Sequence, residues 1–417
     1  MAYADVIERL FERHRSVQTA GFTPDAYKPG LAQMEDYASF LGDPQRRFRS
    51  IHIAGTNGKG SVCTMLAAAL AASGLRTGLY TSPHLVDFRE RIKVIERSGD
   101  YQMIPEEAVV EFLERYDREG LSFFEVTTGM AFWWFAEQEV DVAVIETGLG
   151  GRLDSTNIIT PEISIITSIG LDHCALLGST RAEIAAEKAG IFKPGVPAIV
   201  WGRDLETQPV FERIAAEKGS PLYFAEDFSV PEGLASDLEG PCQDINLRTV
   251  WAALSILGIS GTEDGIRSAA RMTGFRGRWE VLSQKPLTIC DIAHNPPALE
   301  VNFSRLESLS RLPDHNRPLL VVYGAMADKD VSSIVELMPP EAEYFLVAPK
   351  GERAMPVKDL ALKLKNLNFT ESGTVAAGVD DALKRARALA ESGSDPIVYI
   401  GGSTFVVSEA VSYLESI

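Results

Sequence analysis

Lys59 and Ser61 stand in the stretch IHIAGTNGKGS at residues 51–61, where an apolar, β-branched run enters a glycine-rich turn. An alanine-rich helical stretch, 62–72, follows it. Parts in that order suit a nucleotide phosphate chain. Backbone N–H groups of Gly55, Thr56, Asn57, Gly58, Lys59, Gly60 and Ser61, and of the new helix N-terminus, would point at an anion. Lys59 supplies a point charge, and the Ser61 hydroxyl can ligate Mg²⁺. The spelling departs from GxxxxGK[ST], because Gly60 separates Lys59 from Ser61. A glycine-rich turn with no nucleotide is the plainer alternative.

Glu146 closes the apolar run 140–146, where nucleoside triphosphatases commonly place the acid that binds Mg²⁺; capping of the next turn is the alternative. His173 follows Asp172 at another strand end, where an imidazole could ligate a metal, contact a phosphate or be structural. Ser82 precedes Pro83-His84 and by itself reads as a turn starter. Lys188 lies near the end of a helical stretch, 181–189, and its spacing reads as a solvated lysine favoured by the helix dipole. Asp291 and His294 follow a strand in DIAHNP, and Arg278 on a hinge could reach a phosphate or adenine, or form a surface ion pair.

The elements that must position these residues alternate. Helical periodicity covers 3–13 and 31–41, separated by a break containing Gly21, Pro24, Pro29 and Gly30. Strands are expected at 77–80, 140–146, 163–169 and 198–201, helices at 105–119, 124–138, 181–189 and 245–257, a charged loop at 87–93, and a surface excursion or small sheet at 221–243. Residues 274–285 read as a hinge. Beyond it, strand candidates at 287–291, 319–323, 344–347 and 397–401 are each followed by a helical stretch. Such alternation predicts an α/β protein: a phosphate-loop domain with a doubly wound, mostly parallel sheet (1–283), then a smaller Rossmann-like α/β domain (284–417). Ligands of these sheets sit beyond the carboxyl ends of strands, where the polar motifs fall.

Composition narrows the class. The 417 residues, 45% hydrophobic and 24% charged, describe an ordinary globular chain long enough for two domains. A net charge of −18 argues against a nucleic-acid partner. Cys63, Cys174, Cys242 and Cys290 are scattered, as in a reducing compartment. Residues 1–15 are charged and amphipathic and no apolar run approaches the roughly 20 residues that span a bilayer, so a cytoplasmic protein without a membrane partner is expected.

Taken together, the motifs resemble folylpolyglutamate synthases, which are often also dihydrofolate synthases, in the Mur ligase superfamily. GTNGKGS, TSPHL (81–85), ETGLGGRLDSTN (146–157), DH (172–173), EKAGI (187–191), GRWE (277–280), DIAHNP (291–296) and, more loosely, GGSTF (401–405) carry the resemblance in that order along nearly the whole chain. It implies an ATP-dependent ligase that joins L-glutamate to a folate, or dihydropteroate, carboxylate through an acyl phosphate, in a protein that is usually a monomer. It further implies that Ser82 and Glu146 bind a first Mg²⁺ with the nucleotide phosphates, that His173 binds a second, and that Lys188 is carbamylated. Asn246, Arg278, Asp291 and His294 match positions that hold adenine, ribose or phosphates. Phe124 and Thr128 match a segment lining the pteridine pocket. Ile292 stands where the family has glycine, so a slightly different backbone is expected there. Two other readings compete: a Mur-type ligase acting on a UDP-sugar peptide, which would need a separate N-terminal domain, and a nucleotide switch without ligase chemistry, which would leave His173 and Lys188 unexplained.

Overall fold

A computed structural model of the protein describes residues 2–14, 30–312 and 317–417, so the expected break at Gly21, Pro24 and Pro29 lies outside the described residues. The chain divides into two compact units, one of residues 1–237 and 242–275, the other of residues 238–241 and 276–417.

The first unit is built on an eight-stranded sheet. Its strands are β1 (Arg49–Ala54), β2 (Thr77–Tyr80), β3 (Ile92–Ile95), β4 (Tyr101–Met103), β5 (Val142–Glu146), β6 (Ile163–Ile166), β7 (Ala198–Val200) and β8 (Leu222–Phe224). Their order is β4-β3-β2-β5-β1-β6-β7-β8. Strands β2, β5, β1, β6, β7 and β8 pair in parallel; β3 and β4 are antiparallel additions at one edge. The middle strands are apolar on both faces because helices cover both, the usual condition of a parallel sheet. Ile53 aligns with Glu146 and with Ile165, and Tyr80 with Ile145, so β1, β2, β5 and β6 release their chains at one level. That register gathers the motifs.

The helix after β1, Lys59–Ala72, is buried almost all round. Strands β2 and β5 contact it, as do helices Gln243–Leu257, Glu263–Arg267 and Ala269–Thr273. Gly265 permits the closest of these approaches, since a Cβ there would lie 2.2 Å from the Ala68 carbonyl oxygen. The stretch at 87–93, expected as a charged loop, instead forms a 3-10 turn (Phe88–Arg91) and β3. Its charges mislead because Arg91 and Lys93 are buried and bonded. Residues 222–224 of the expected excursion extend the main sheet as β8, after a helix (Gln208–Lys218) that the periodicity did not mark.

The second unit is a six-stranded sheet in the order β13-β12-β11-β14-β10-β9. Its members are β9 (Glu280–Gln284), β10 (Leu287–Asp291), β11 (Leu319–Tyr323), β12 (Glu343–Ala348), β13 (Asn368–Thr374) and β14 (Ile397–Gly401). Among the described residues, only β9 runs antiparallel. Most of the segment expected as hinge belongs to this unit, since Arg276 opens it and β9 pairs along β10. Among the described residues, no helix is long and apolar enough to cross a membrane.

Candidate active site

The phosphate loop is tied to the exit of β6. Thr56 N–H donates to the Ser168 carbonyl (2.7 Å), the Thr56 hydroxyl bonds to Gly170, and the Thr167 and Ser168 hydroxyls donate to the Asn57 carbonyl at 2.7 and 3.1 Å. Gly55 has no room for a side chain, because a Cβ would sit 1.7 Å from Thr167 Oγ1. Gly58 takes φ +87° at the helix N-cap, with Asn246 Oδ1 only 2.5 Å from where its Cβ would be. The first N–H groups of the helix lack intrahelical acceptors and form an anion cradle.

Two lysines meet on this loop. Lys59 Nζ donates to the carbonyls of Gly55 (3.0 Å) and Thr56 (3.2 Å), and Lys188 Nζ donates to the same Gly55 oxygen at 2.7 Å. Lys188 is 4% exposed, which corrects the reading of it as a solvated surface lysine. Spacing along its own helix gives no sign of what covers it. Gly151 and Gly190 do: a Cβ at Gly151 would lie 2.7 Å from the Lys188 carbonyl, and one at Gly190 would strike Arg152. Burial first, and the positive Lys59 second, push the Lys188 ammonium down to about 7, against the pull of Asp172 and Asp154.

Glu146, 3% exposed at the end of β5, accepts the Ser82 N–H at 3.1 Å, and its Oε2 would lie 3.8 Å from a Cβ on Gly60. The acid therefore sits beside both the β2 exit and the helix start that carries Ser61. Ser61 Oγ in turn accepts from Gln243 Nε2 (3.4 Å), and Asn246 Nδ2 donates to Gln243 Oε1 (3.0 Å). Gln243 escaped the sequence reading; its signal was its place one turn before Asn246 on the same helix. Hydroxyls and a carboxylate are hard oxygen donors of the kind Mg²⁺ takes alongside phosphate oxygens and water, so the set suits a metal–nucleotide complex. Among the described residues, no three His, Cys, Asp or Glu gather into an ion site by themselves. His173 lies on the β6 exit loop in a left-handed conformation (φ +52°), with Nε2 3.7 Å from Asp172 Oδ2 and its ring 29% exposed. Side chains other than glycine rarely hold that conformation without support.

The ETGLGG turn is clamped from below. Asp154 accepts the N–H groups of Gly148 and Leu149 (2.9 Å each) on one oxygen and that of Thr156 (3.0 Å) on the other, while the Thr156 hydroxyl also reaches it. His52 completes the chain through Thr156 Oγ1 at 2.8 Å. Burial raises the Asp154 carboxyl pKa, opposed by these bonds. Asp154→Ala strands several buried donors, so it should cost roughly 2–5 kcal/mol and lower the melting temperature by about 5–15 °C, read by calorimetry. An unchanged melting temperature would mean that water replaces the carboxylate. Phe124 lies over Gly148, its Cζ 2.5 Å from where a Cβ would be, whereas Thr128 is fully buried with its hydroxyl 3.2 Å from Tyr80 Oη. Phe124 thus borders the turn, and Thr128 is held under Tyr80 with no opening to solvent.

In the second unit, Asp291 gives its two oxygens to backbone donors, Trp279 N–H (2.8 Å) and Ala293 N–H (2.7 Å). It clamps the loops that carry Arg278 and His294. His294 Nδ1 donates to the Ile292 carbonyl (3.0 Å), since a carbonyl can only accept; in the neutral ring Nε2 is then the acceptor. Ile292 is not among the left-handed residues, and its N–H bonds to the Gly277 carbonyl at 3.0 Å, so no glycine is required there.

Residues 53–227 match the Mur ligase middle domain, and residues 277–404 match the Mur ligase, glutamate ligase domain. The chain is similar to the dihydrofolate synthase/folylpolyglutamate synthase of Escherichia coli (strain K12), 34% identical over 405 residues that cover 93% of this chain and 92% of that one. Among solved structures it resembles E. coli FolC in complex with DHPP and ADP (TM-score 0.83, 29% identity, 100% and 98% of the two chains). It also resembles a bifunctional folylpolyglutamate synthase/dihydrofolate synthase with Mn, AMPPNP and L-glutamate bound (TM-score 0.79, 28% identity, 100% and 98%).

Proposed function

The chain belongs to the folylpolyglutamate synthase/dihydrofolate synthase family of Mur ligases, and we propose that it joins the α-amino group of L-glutamate to a folate carboxylate, and to that of dihydropteroate, driven by ATP. It is an ATP-dependent ligase that works with a divalent metal on small-molecule substrates. Amide formation from a carboxylate is unfavourable in water. The carboxylate oxygen therefore takes the γ-phosphoryl group, the glutamate amine attacks the acyl carbon, and phosphate leaves.

Each residue has a task in this scheme. The loop N–H groups and helix N-terminus hold the phosphates, and Lys59 exchanges its loop carbonyls for them. Ser61, Ser82 and Glu146 would hold one Mg²⁺, and His173 a second together with a carbamylated Lys188. Bound Mg²⁺ would offset the repulsion between the ATP tail and an anionic acceptor. The environment that brings Lys188 to about 7 favours the neutral amine that carbamylation needs. Asn246 and Arg278 would hold the adenine, ribose or phosphates. Asp291 sets the two loops that carry Arg278 and His294, and His294 would likewise meet adenine, ribose or phosphates. Phe124 and Thr128 line and support the pteridine pocket. ATP, apart from its contacts with Asp291 and His294, and folate would belong to the first part of the chain (1–283), and glutamate to the second (284–417).

The observation that carries this reading is the convergence of three neighbouring strand ends, β1, β2 and β5, on Glu146 beside a glycine-cradled loop. End-to-end likeness to folate ligases favours it over a UDP-sugar ligase or a switch. Isotope transfer tests the acyl phosphate. A folate labelled with ¹⁸O in its carboxylate should deliver one label to the released phosphate during turnover; unlabelled phosphate would reject that intermediate.

A further inference from the structure

Gly60, the residue that breaks the usual GK[ST] spelling, faces an aromatic ring. A Cβ there would lie 3.0 Å from Phe275 Cζ and 3.2 Å from Phe275 Cε2, with Glu146 Oε2 at 3.8 Å. Phe275 is the last residue of the first unit, and several bonds fix where its backbone stands. Its N–H donates to the Ala270 carbonyl (3.3 Å), closing the helix Ala269–Thr273. Gly274 before it is left-handed (φ +59°), in a place where a Cβ would fall 2.2 Å from Tyr101 Oη. The buried Lys93 ammonium donates to the Thr273 (2.7 Å) and Gly274 (3.2 Å) carbonyls and lies 5.3 Å over the Tyr101 ring. Helix-terminal carbonyls ordinarily turn to water or a cap. Here a cation from β3, itself lying over a ring from β4, secures them. The antiparallel edge of the sheet thereby holds Phe275 against the phosphate loop.

We propose that Phe275 is a positioning residue for the phosphate–metal corner: its ring edge fills the space that Gly60 leaves, fixing the Lys59–Gly60–Ser61 turn and shielding Glu146 from water. The extra glycine is then the complement of the ring. A drier corner strengthens every interaction that the Glu146 charge makes with a bound cation. This inference rests on the ligase reading for its kinetic consequence but not for nucleotide binding.

The test is a double-mutant cycle on the full chain with Gly60→Ala, Phe275→Ala and the pair, with Phe275→Leu as the conservative variant. Mg-ADP affinity is measured by calorimetry, and kcat and KM by ADP release with folate and glutamate. Overpacking predicts that Gly60→Ala weakens Mg-ADP binding about tenfold, and that adding Phe275→Ala recovers most of that loss. Phe275→Ala alone should lower kcat and raise KM for ATP about tenfold each, leave KM for glutamate unchanged, and be largely rescued by leucine. If Phe275→Ala impairs folding, the cycle is run with Phe275→Leu. Additive losses in the cycle, or a Phe275→Ala protein that binds Mg-ADP as the parent does, would overturn the proposal. Mg-ADP binding without any folate-dependent turnover in the parent would instead reject the ligase reading and leave the coupling standing.

Discussion

Lys188→Met should abolish glutamate-dependent ADP release and, at the same time, raise the melting temperature of the ligand-free protein at pH 6. The lysine is buried, and its ammonium is pushed from 10.5 to about 7. Between those values the unfolded chain holds a proton that the folded chain releases, so stability rises with pH across that window. Below about pH 7 the folded protein bears the full penalty, on the order of 4 kcal/mol. Methionine has a similar length and no charge. The Gly55 carbonyl that Lys188 bonds keeps Lys59 as a donor, so the substitution forfeits about 1–2 kcal/mol of hydrogen bonding and gains on balance. The advantage should shrink as pH rises, vanish near pH 9–10, where the remaining penalty equals the lost hydrogen bonding of about 1–2 kcal/mol, and reverse above that. Turnover should fall about a thousandfold, because a metal-bound anion stabilising the transition state contributes several kcal/mol. A variant that melts where the parent does at pH 6 would show a solvated ammonium. One that keeps parental turnover would remove Lys188 from the metal.

Glu146→Gln is the second large effect. Glutamine keeps the size of the side chain and an oxygen able to accept the Ser82 N–H, now 3.1 Å from Oε2, but carries no charge. Folding should change little. The rate should fall about 10²- to 10⁴-fold, and the Mg²⁺ concentration giving half the maximal rate should rise, because a neutral amide is a poor ligand for a hard dication. Both are read in one titration of ADP release against Mg²⁺. Turnover within threefold of the parent, at unchanged Mg²⁺ demand, would mean that Glu146 only caps the turn after β5.

The residues that were legible and those that were not differ in what surrounds them. Strands β5, β11 and β14 are apolar on both faces, so they appear in the sequence as continuous runs with sharp ends. The phosphate loop was legible because its glycines, lysine and serine are contiguous. Lys188 was not, since its ammonium is held by the Gly55 carbonyl 133 residues upstream, and its backbone is packed by Gly151 of the ETGLGG turn. Strand β3 was masked by Arg91 and Lys93, whose partners, His84 and the Thr273 carbonyl, come from other segments. Strand β13 was masked by its own composition: NFTESGT is a largely exposed edge strand with polar residues on the open side. Asp291 was legible as a strand-end acid, but not the two backbone donors that engage it, because Trp279 lies twelve residues earlier.

ADP release by the purified protein with Mg-ATP and L-glutamate tests the central claim most directly, with dihydropteroate in one reaction and tetrahydrofolate in another. The account predicts ADP release that requires glutamate in both, together with a product heavier by one glutamyl residue. Folded protein that binds Mg-ADP yet releases no ADP with either acceptor would contradict it.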